Sequence, residues 1–367
     1  MKSAKQKKSV RTTLLLFLTV FSLLTSCVGC SRFSFLSKED EGTDTESPTD
    51  TDANDGIPAI TPAEPSPPTY YNRYTGLACD EEILSCRPIS VCIGNFDGKR
   101  QEGLSLADII IESPHDGDKT RLLAIYTDHR KTDAIVGVSS IKDYMLSPVN
   151  AFGAIAVYAG NGDKKPGEVS TSQGDYLDYS YHNLSSAFEE STDGLRTNIK
   201  SLTNASITKG YSLTDPEFPL PYRLAELDTV YTPNSNRIRN ISFRYSTANS
   251  VSFTYHEDTR VYQKLQNGIP HTDSKTGEQL AFSNLLLLFH NVSYYYSSDQ
   301  TTFTIDTKTG GDGYLYTGGG VISVRWRYTD DGALSIVDDT GEKITVNRGK
   351  TYIGMLKVTD SSTLIAK

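Results

Sequence analysis

Asp108-Ile109-Ile110-Ile111-Glu112, followed after the loop Ser113–Thr120 by Arg121-Leu122-Leu123-Ala124-Ile125-Tyr126, decides the fold of this chain. Both runs are short, rich in branched apolar residues and bounded by turn-forming residues, so they predict two β-strands. Runs of the same kind lie on either side of them. They predict further strands at Ile89–Gly94, Ala134–Val138 and Ala154–Ala159.

Helices are predicted between and after these strands. Ser139–Phe152 has the pattern of a helix capped by Ser139 or Ser140, and Gly174–Tyr181 and Asn183–Glu190 predict two more. Residues 71–210 are therefore expected to form a mixed α/β domain.

The second half has a different pattern. Prolines at 216, 219 and 221 mark a connector over 211–236, and alternation such as Ser252-Phe253-Thr254-Tyr255 then predicts half-buried antiparallel strands over 237–367. The predicted strands are Ile241–Tyr245, Val251–Tyr255, Val261–Leu265, Leu285–Tyr296, Thr302–Asp306, Gly313–Tyr316, Val321–Tyr328 and Thr351–Lys357. The fold class that these patterns predict for the whole is α+β, with a mixed α/β first half and an antiparallel, β-rich second half.

The N-terminus has the layout of an export signal. A basic start precedes the apolar run Thr12–Leu24, which ends in Leu24-Thr25-Ser26-Cys27. The run is shorter than the ~20 residues that span a bilayer, which disfavours a transmembrane helix; an ordinary secretory signal is the other alternative. The last four residues resemble a bacterial lipobox, which implies a signal peptide of residues 1–26, a lipidated Cys27 and a site of action on the extracytoplasmic face of the membrane.

Residues 27–70 are expected to form a tether. Acidic residues far outnumber basic ones there, among Ser, Thr and Pro, and such a segment buries too little apolar surface to order itself. The whole chain has a net charge of −9, and removal of residues 1–26 takes away five positive charges and no acid. An acidic surface repels phosphate, which argues against nucleic acid as a partner and against charge-based docking on anionic lipid.

Cysteine and histidine give no sign of a metal site or of a cofactor. Cys79 and Cys86 are near enough in sequence to close a small disulfide loop, whereas Cys92 lies in an apolar run and is expected to be a buried thiol. The six histidines lack metal-ligand spacing.

Asp108, Glu112 and Arg121 are the first candidates for chemistry. Asp108 and Glu112 are four residues apart on one strand and so project from the same face, and Arg121 opens the next strand. Together they are able to do acid–base work or to hold a polar ligand. The simpler interpretation, an ion pair that closes a hairpin, is favoured.

Ser139-Ser140-Ile141-Lys142 matches the SxxK signature of acyl transferases, and Lys275-Thr276-Gly277 and Lys308-Thr309-Gly310 match KTG. Chance explains these short matches better. The glycines at 310–313 and 318–320 are expected in hairpin turns rather than in a phosphate fingerprint. Tyr294-Tyr295-Tyr296, with Tyr255, Tyr262 and Trp326, would suit a platform for sugar rings, although packing within sheets is favoured.

Several segments resemble one family throughout residues 70–367. Among them are Tyr74-Thr75-Gly76-Leu77, the run Gly103–Glu112, Gln266-Asn267-Gly268-Ile269-Pro270-His271-Thr272-Asp273 and Asn284-Leu285-Leu286-Leu287-Leu288-Phe289. These resemble the YerB family of bacterial lipoproteins. The resemblance implies a layered sheet-and-helix sandwich of ββα-like type. It also implies a polar site, of which Asn95, Asp108, Glu112, Arg121 and Asn198 are retained.

The resemblance also implies that the polar site is altered. Two arginines of the family pattern are replaced by Ser139 and Lys142, and two histidines by Thr197 and Tyr158. A serine and a lysine bind an anion less well than two arginines do. The leading hypothesis is therefore a non-enzymatic lipoprotein that binds a wall-assembly protein or a wall polymer such as peptidoglycan. An enzyme acting on wall-derived substrates is the alternative, and a solute-binding lipoprotein is a third possibility.

Overall fold

The computed structural model describes residues 70–96, 100–161, 174–233, 237–296 and 301–367. The predicted signal peptide, Cys27 and, apart from Tyr70, the tether lie outside these residues. None of the described helices is long and apolar enough to cross a lipid bilayer. The described residues belong to one compact unit in which strands far outnumber helices.

Strands make up most of the described chain. In the first half they are β1 (Ile89–Asn95), β2 (Ile109–Pro114), β3 (Thr120–Tyr126), β4 (Ile135–Val136), β5 (Ile155–Tyr158), β6 (Tyr176–Asp178), β7 (Glu189–Ser191), β8 (Gly194–Thr197) and β9 (Arg223–Leu224). In the second half they are β10 (Asn240–Ser246), β11 (Asn249–His256), β12 (Val261–Gln266), β13 (Ile269–Pro270), β14 (Ala281–Phe282), β15 (Asn284–His290), β16 (Val292–Tyr296), β17 (Thr301–Ile305), β18 (Gly311–Thr317), β19 (Gly320–Tyr328), β20 (Leu334–Val337), β21 (Thr345–Val346), β22 (Thr351–Lys357) and β23 (Ile365–Ala366).

The larger sheet has ten strands in the order β20-β19-β18-β15-β22-β2-β3-β1-β5-β6. It joins the two halves of the chain, because β22 lies between β15 and β2 and runs parallel to both, with Ile353 in register with Ile111 and with Leu286. The prediction of an antiparallel second half is therefore corrected at β15 and β22. Their apolar runs are buried on both faces, as is typical of parallel strands.

The smaller sheet is antiparallel and has the order β13-β12-β11-β10-β23, with β14 beside β12. Its inward residues alternate with half-buried or exposed ones, as predicted for Val251–Tyr255. These inward residues pack against one face of the larger sheet, and the ring centroids of Phe253 and Tyr352 lie 4.9 Å apart. The space between the two sheets therefore holds an apolar core to which both halves contribute.

The helices are α1 (Glu81–Leu84), α2 (Leu146–Asn150) and α3 (Ile199–Thr208), with short 3-10 helices at Leu104–Leu106, Asp143–Met145 and Val358–Thr363. The prediction of a helix over Ser139–Phe152 is wrong in its first half. The amides of Ser139 and Ile141 donate to Cys92 and Gly160 of neighbouring segments, which keeps this backbone extended. Pro148 fits in the first turn of α2, but it would break a longer helix.

The other two predicted helices are also wrong. Tyr176–Asp178 instead pairs with β5 as edge strand β6, and Glu189–Ser191 pairs with β8. Helix α3 was not predicted, and it packs Ile199 and Leu202 into the core between the sheets. The predicted strand Leu285–Tyr296 is divided at Asn291, so that β15 enters the larger sheet and β16 forms a separate hairpin with β17.

Candidate functional site

A fully buried ion pair joins the two sheets. Glu112, near the end of β2, and Lys264, in β12, are both 0% exposed, and Glu112 Oε2 lies 3.2 Å from Lys264 Nζ. Tyr352 of β22 donates its hydroxyl to the same carboxylate oxygen at 2.9 Å. Side chains from β2, β12 and β22 therefore meet at one carboxylate.

The ion pair belongs to a closed ring of hydrogen bonds. An ammonium cannot accept a hydrogen bond, so Lys264 Nζ donates to His271 Nδ1 at 2.9 Å. The proton of the neutral imidazole must then be on Nε2, which donates to Gln101 Oε1 at 2.7 Å. Gln101 Nε2 donates to Asn95 Oδ1 at 3.3 Å, and Asn95 Nδ2 donates to Glu112 Oε1 at 2.9 Å. All five side chains have defined donor and acceptor roles.

Burial controls the protonation of this ring. Desolvation lowers the pKa of Lys264, and the charge of Glu112 opposes that shift. Desolvation and the nearby ammonium of Lys264 together lower the pKa of His271 well below its ordinary value. Burial, followed by the charge of Glu112, raises the pKa of Tyr245 and of Tyr352. The imidazole and both phenols are therefore neutral at neutral pH, and Tyr352 remains a donor.

A pocket of about 540 Å³ opens onto the ring at the junction of the two sheets. Its wall includes Asn95, Gln101, Gln266, His271 and Asn249, and its rim includes Phe96, Lys119 and Ile269. The amides hold one another: Gln266 Nε2 donates to Asn249 Oδ1, and Asn249 Nδ2 donates to the carbonyl of Asp118 at 3.1 Å. Gln266 Oε1 already accepts from Lys264 and from Asn95. The amide oxygens of Asn95, Gln101 and Asn249 each accept one hydrogen bond and have two lone pairs, so the wall still has capacity for a ligand's donors.

A larger groove of about 1030 Å³ runs along β18 and β19, past Tyr314, Tyr316 and Arg325. None of the residues predicted to form a site lines it. The pocket of about 540 Å³, called the amide pocket after the Asn and Gln side chains in its wall, contains Asn95. Asn95 connects this pocket to Glu112 by a hydrogen bond.

Of the predicted site residues, Asn95 and Glu112 come together. Asp108 does not join them, since its carboxylate accepts hydrogen bonds from Thr127 N at 2.9 Å and from Thr127 Oγ1 at 2.7 Å. Burial raises the pKa of Asp108, and the hydrogen bonds from Thr127 oppose that shift. This carboxylate fastens the start of β2 to the end of β3.

Arg121 lies on the opposite face of the larger sheet from Glu112, which contradicts both predictions for this pair, a shared site and an ion pair. Arg121 is in register with Ser113, whereas Glu112 is in register with Leu122. Because side chains alternate along a strand, that offset of one residue sends the guanidinium away from the carboxylate. The predicted Asp108–Glu112–Arg121 face is not formed.

Ser139, Lys142 and Asn198 have other partners. Lys142 Nζ lies 3.3 Å from Asp116 Oδ1, and Asn198 caps α3 by accepting a hydrogen bond from Ser201 N at 2.8 Å. Ser139 precedes an extended residue, not a helix N-terminus, so the nucleophile geometry expected of SxxK is not formed. Lys275 lies in a turn, and its ammonium pairs with Asp133.

The aromatic residues do not form one platform. Tyr255 and Tyr262 are buried between the sheets, Trp326 is buried on the other face of the larger sheet, and Tyr294, Tyr295 and Tyr296 are exposed on the β16–β17 hairpin. Cys79 and Cys86 are free thiols, and Cys92 is buried as predicted. Among the described residues no group of three or more His, Cys, Asp or Glu side chains is placed to hold a metal ion.

Lys264, His271, Gln101 and Tyr352 were not among the predicted site residues. One signal was present in the sequence, because Lys264 follows Tyr262 at the inward positions of an alternating strand. A lysine at such a position requires a buried acidic partner. The sequence does not say which acid that partner is.

Two family models match this chain. Residues 74–212 match "Protein of unknown function (DUF3048) N-terminal domain", and residues 241–353 match the C-terminal domain of the same description. The chain belongs to this two-part family, and the resemblance found in the sequence is confirmed.

Among known proteins, the chain is similar to "Putative lipoprotein YerB" of Bacillus subtilis (strain 168). The two are 26% identical over 298 residues, which is 79% of this chain and 87% of that protein. The crystal structure of the YerB protein from Bacillus subtilis superposes with a TM-score of 0.68, over 81% of this chain and 99% of that one.

Proposed function

We propose that this protein is a lipoprotein anchored through Cys27 to the extracytoplasmic face of the membrane, and that its amide pocket binds a saccharide unit of a cell-wall polymer. The lipobox-like Leu24-Thr25-Ser26-Cys27 and the name of the Bacillus subtilis relative support the anchor. The acidic segment that follows supports a position at some distance from the membrane.

The composition of the pocket wall is the observation that carries the proposal. Asn95, Gln101 and Asn249 supply amide oxygens that accept hydrogen bonds from sugar hydroxyl and acetamido N–H groups, and Asn249 Nδ2 has a second N–H to donate. Phe96 at the rim offers an apolar ring to the face of a sugar. A few fixed polar groups beside apolar surface are typical of a site for a small neutral ligand.

The environment of Glu112 favours binding over catalysis at this site. Its two carboxylate oxygens receive hydrogen bonds from Asn95, Thr120 and Tyr352 and an ion pair from Lys264, and its side chain has no exposure. A general acid or base must reach the proton that it transfers. This carboxylate instead holds the pocket wall in place.

Sedimentation of the full-length mature protein with purified wall sacculi tests the proposal. Ile269 lies at the pocket rim on edge strand β13 and is 69% exposed, and Ile365 lies on edge strand β23 and is 52% exposed. Ile269→Asp is expected to weaken binding by about tenfold or more, since a charged group at the rim must be desolvated. Ile365→Asp is the matched control and should bind as the wild type does.

Cross-linking in intact cells, with mass spectrometry of the captured material, identifies the partner. Recovery of wall glycan that depends on Ile269 supports the proposal. Capture of one wall-assembly protein with no glycan would replace the polymer by a protein partner. Equal sedimentation of both variants would show that the amide pocket is not the binding site.

A further inference from the structure

A second polar cluster lies on the face of the larger sheet opposite Glu112. His115 follows β2, Arg121 lies in β3, and Lys142 precedes the 3-10 helix at Asp143–Met145. Their exposed fractions are 4%, 5% and 5%. Burial of three basic side chains in one place calls for an explanation, because such groups are rarely buried without acidic partners.

Arg121 has only neutral hydrogen-bond acceptors. Its Nε and Nη2 donate to the carbonyl and the hydroxyl of Ser140 at 2.9 and 3.3 Å, and its Nη1 donates to the carbonyl of Thr120 at 3.1 Å. No carboxylate of the described chain forms an ion pair with it. A guanidinium has five N–H groups, so two remain for another acceptor.

His115 is buried without a hydrogen bond at either ring nitrogen, as far as the described residues go. Desolvation, the charge of Arg121 and, to a lesser extent, that of Lys142 lower the pKa of His115 to about 3, against the opposing effect of Asp116. The ring is therefore neutral and carries one N–H that has no acceptor. A group with accessible oxygen atoms would satisfy it.

One anionic group of the chain already lies beside this cluster. Asp116 Oδ1 is 3.3 Å from Lys142 Nζ, and Asp116 Oδ2 is 3.4 Å from His115 Nδ1, yet the Asp116 side chain is 54% exposed. It belongs to the hairpin loop between β2 and β3. The next residue, Gly117, has φ +61 and nothing within 4 Å of the place where a Cβ would lie, so the tip of the loop is not packed against other residues.

We propose that His115, Arg121, Lys142 and Ser140 form a binding site for a phosphate group, and that Asp116 is an internal occupant which the phosphate displaces. Inorganic phosphate carries more negative charge at neutral pH than a carboxylate. A phosphodiester carries the same single charge as a carboxylate, and both kinds of phosphate present oxygens in several directions. The planar fork of Arg121 suits such a group. Inorganic phosphate and the phosphodiester of a polyol-phosphate polymer share this chemistry. The site is distinct from the amide pocket but adjoins it, because the ring centroid of Phe96, at the pocket rim, lies 5.6 Å from Arg121 Cζ.

Calorimetric titration of the full-length mature protein with inorganic phosphate tests the proposal. Asp116→Asn removes the competing charge and is expected to tighten binding about tenfold, whereas Lys142→Gln should weaken it by a similar factor. Asp133→Asn is the matched control, because Asp133 pairs with the exposed Lys275 at 2.9 Å, and it should leave phosphate affinity unchanged.

Phosphate affinity that does not increase in Asp116→Asn, or that increases equally in Asp133→Asn, would overturn the proposal. If Lys142→Gln does not fold, Arg121→Lys keeps the charge, removes the fork and should lose binding instead. A second titration with a glycerol-phosphate oligomer separates the sources. Tighter binding of the oligomer assigns the site to a polymer, and binding of inorganic phosphate alone assigns it to the free ion. Sacculus binding that depends on Ile269 should be unaffected by Asp116→Asn and by Lys142→Gln.

Discussion

Glu112 Oε2 lies 3.2 Å from Lys264 Nζ, and neither side chain has any exposed surface. The pair connects β2 of the larger sheet with β12 of the smaller one. Buried ion pairs add little net stability over apolar side chains of similar shape, but loss of one partner is costly. We infer that this pair fixes how the two sheets align, since any other alignment would bury an unpaired charge.

Lys264→Met is expected to destabilise the protein by about 3–5 kcal/mol, because Glu112 then remains as an uncompensated buried charge. The double variant Glu112→Gln/Lys264→Met should lose less than this single variant. Urea unfolding measures both. Arg223→Gln, which breaks an ion pair between the exposed side chains of Arg223 and Glu342, is the control and should leave the unfolding midpoint unchanged.

Stability should fall as the pH drops below about 6.5, because histidines of the unfolded chain are protonated there while the buried histidines of the folded protein remain neutral. Burial lowers the pKa of His271 well below its ordinary value, and lowers those of His290 and His115 to about 4 and about 3. A folded-state pKa below the unfolded one means that stability is full above about pH 6.5 and declines from there toward the folded-state pKa.

Each such histidine contributes a slope of at most about 1.4 kcal/mol per pH unit. His271→Gln keeps an acceptor for Lys264 and a donor for Gln101 but does not titrate. The free energy of unfolding of this variant, measured between about pH 7 and about pH 5, should therefore fall less steeply than that of the wild type. Identical slopes would show that His271 takes up its proton in the folded state.

Asn198→Ala should destabilise the protein by about 1 kcal/mol, because the amide of Ser201 at the start of α3 loses its acceptor. Asn198→Asp restores an acceptor and should recover most of that loss in thermal unfolding. Neither variant should alter sacculus binding. A loss of binding at unchanged stability would show that Asn198 contacts the ligand.

Asn284→Leu should cost at least about 2 kcal/mol, since several buried groups lose partners. The side chain of Asn284 accepts from Thr317 Oγ1 at 2.7 Å and from Asn347 N at 2.8 Å, and donates to Asn347 O at 2.8 Å. Asn291→Ala, at an exposed position between β15 and β16, is the comparison. Urea midpoints that shift equally in both would contradict the role assigned to Asn284.

The strands could be predicted well from the sequence, and the helices could not. Apolar runs such as Ile89–Gly94 and Thr351–Lys357 have no competing period and are strands in the structure. Ser139–Phe152 has a helical pattern, but pairing of its amides with neighbouring segments overrides that local preference. Helix α3 contains β-branched residues that weaken its signal, although Asn198, followed by apolar residues at 199, 202 and 205, is a helix-start pattern.

The candidate site was predicted in part, for a reason of geometry. Glu112 was a candidate from its strand and Asn95 from the family resemblance, and the two side chains meet because they lie at strand ends on one face of the sheet. The assignment of Arg121 failed because the strands extend to Pro114 and Thr120, which shifts the expected hairpin register and turns the side chain to the other face. Lys264 and His271 lie far from Glu112 in the sequence. The inward position of Lys264 indicates a buried acidic partner, but no local pattern identifies that partner as Glu112.

The position of β22 has a consequence for how the molecule is made. Residues 351–357 are synthesised after both β2 and β15, yet they fill the gap between these two strands. Until they arrive, two apolar strands have open edges, and such edges invite association with other chains. Chains truncated before Thr351 should therefore be insoluble or rapidly degraded, so that only molecules that contain β22 accumulate.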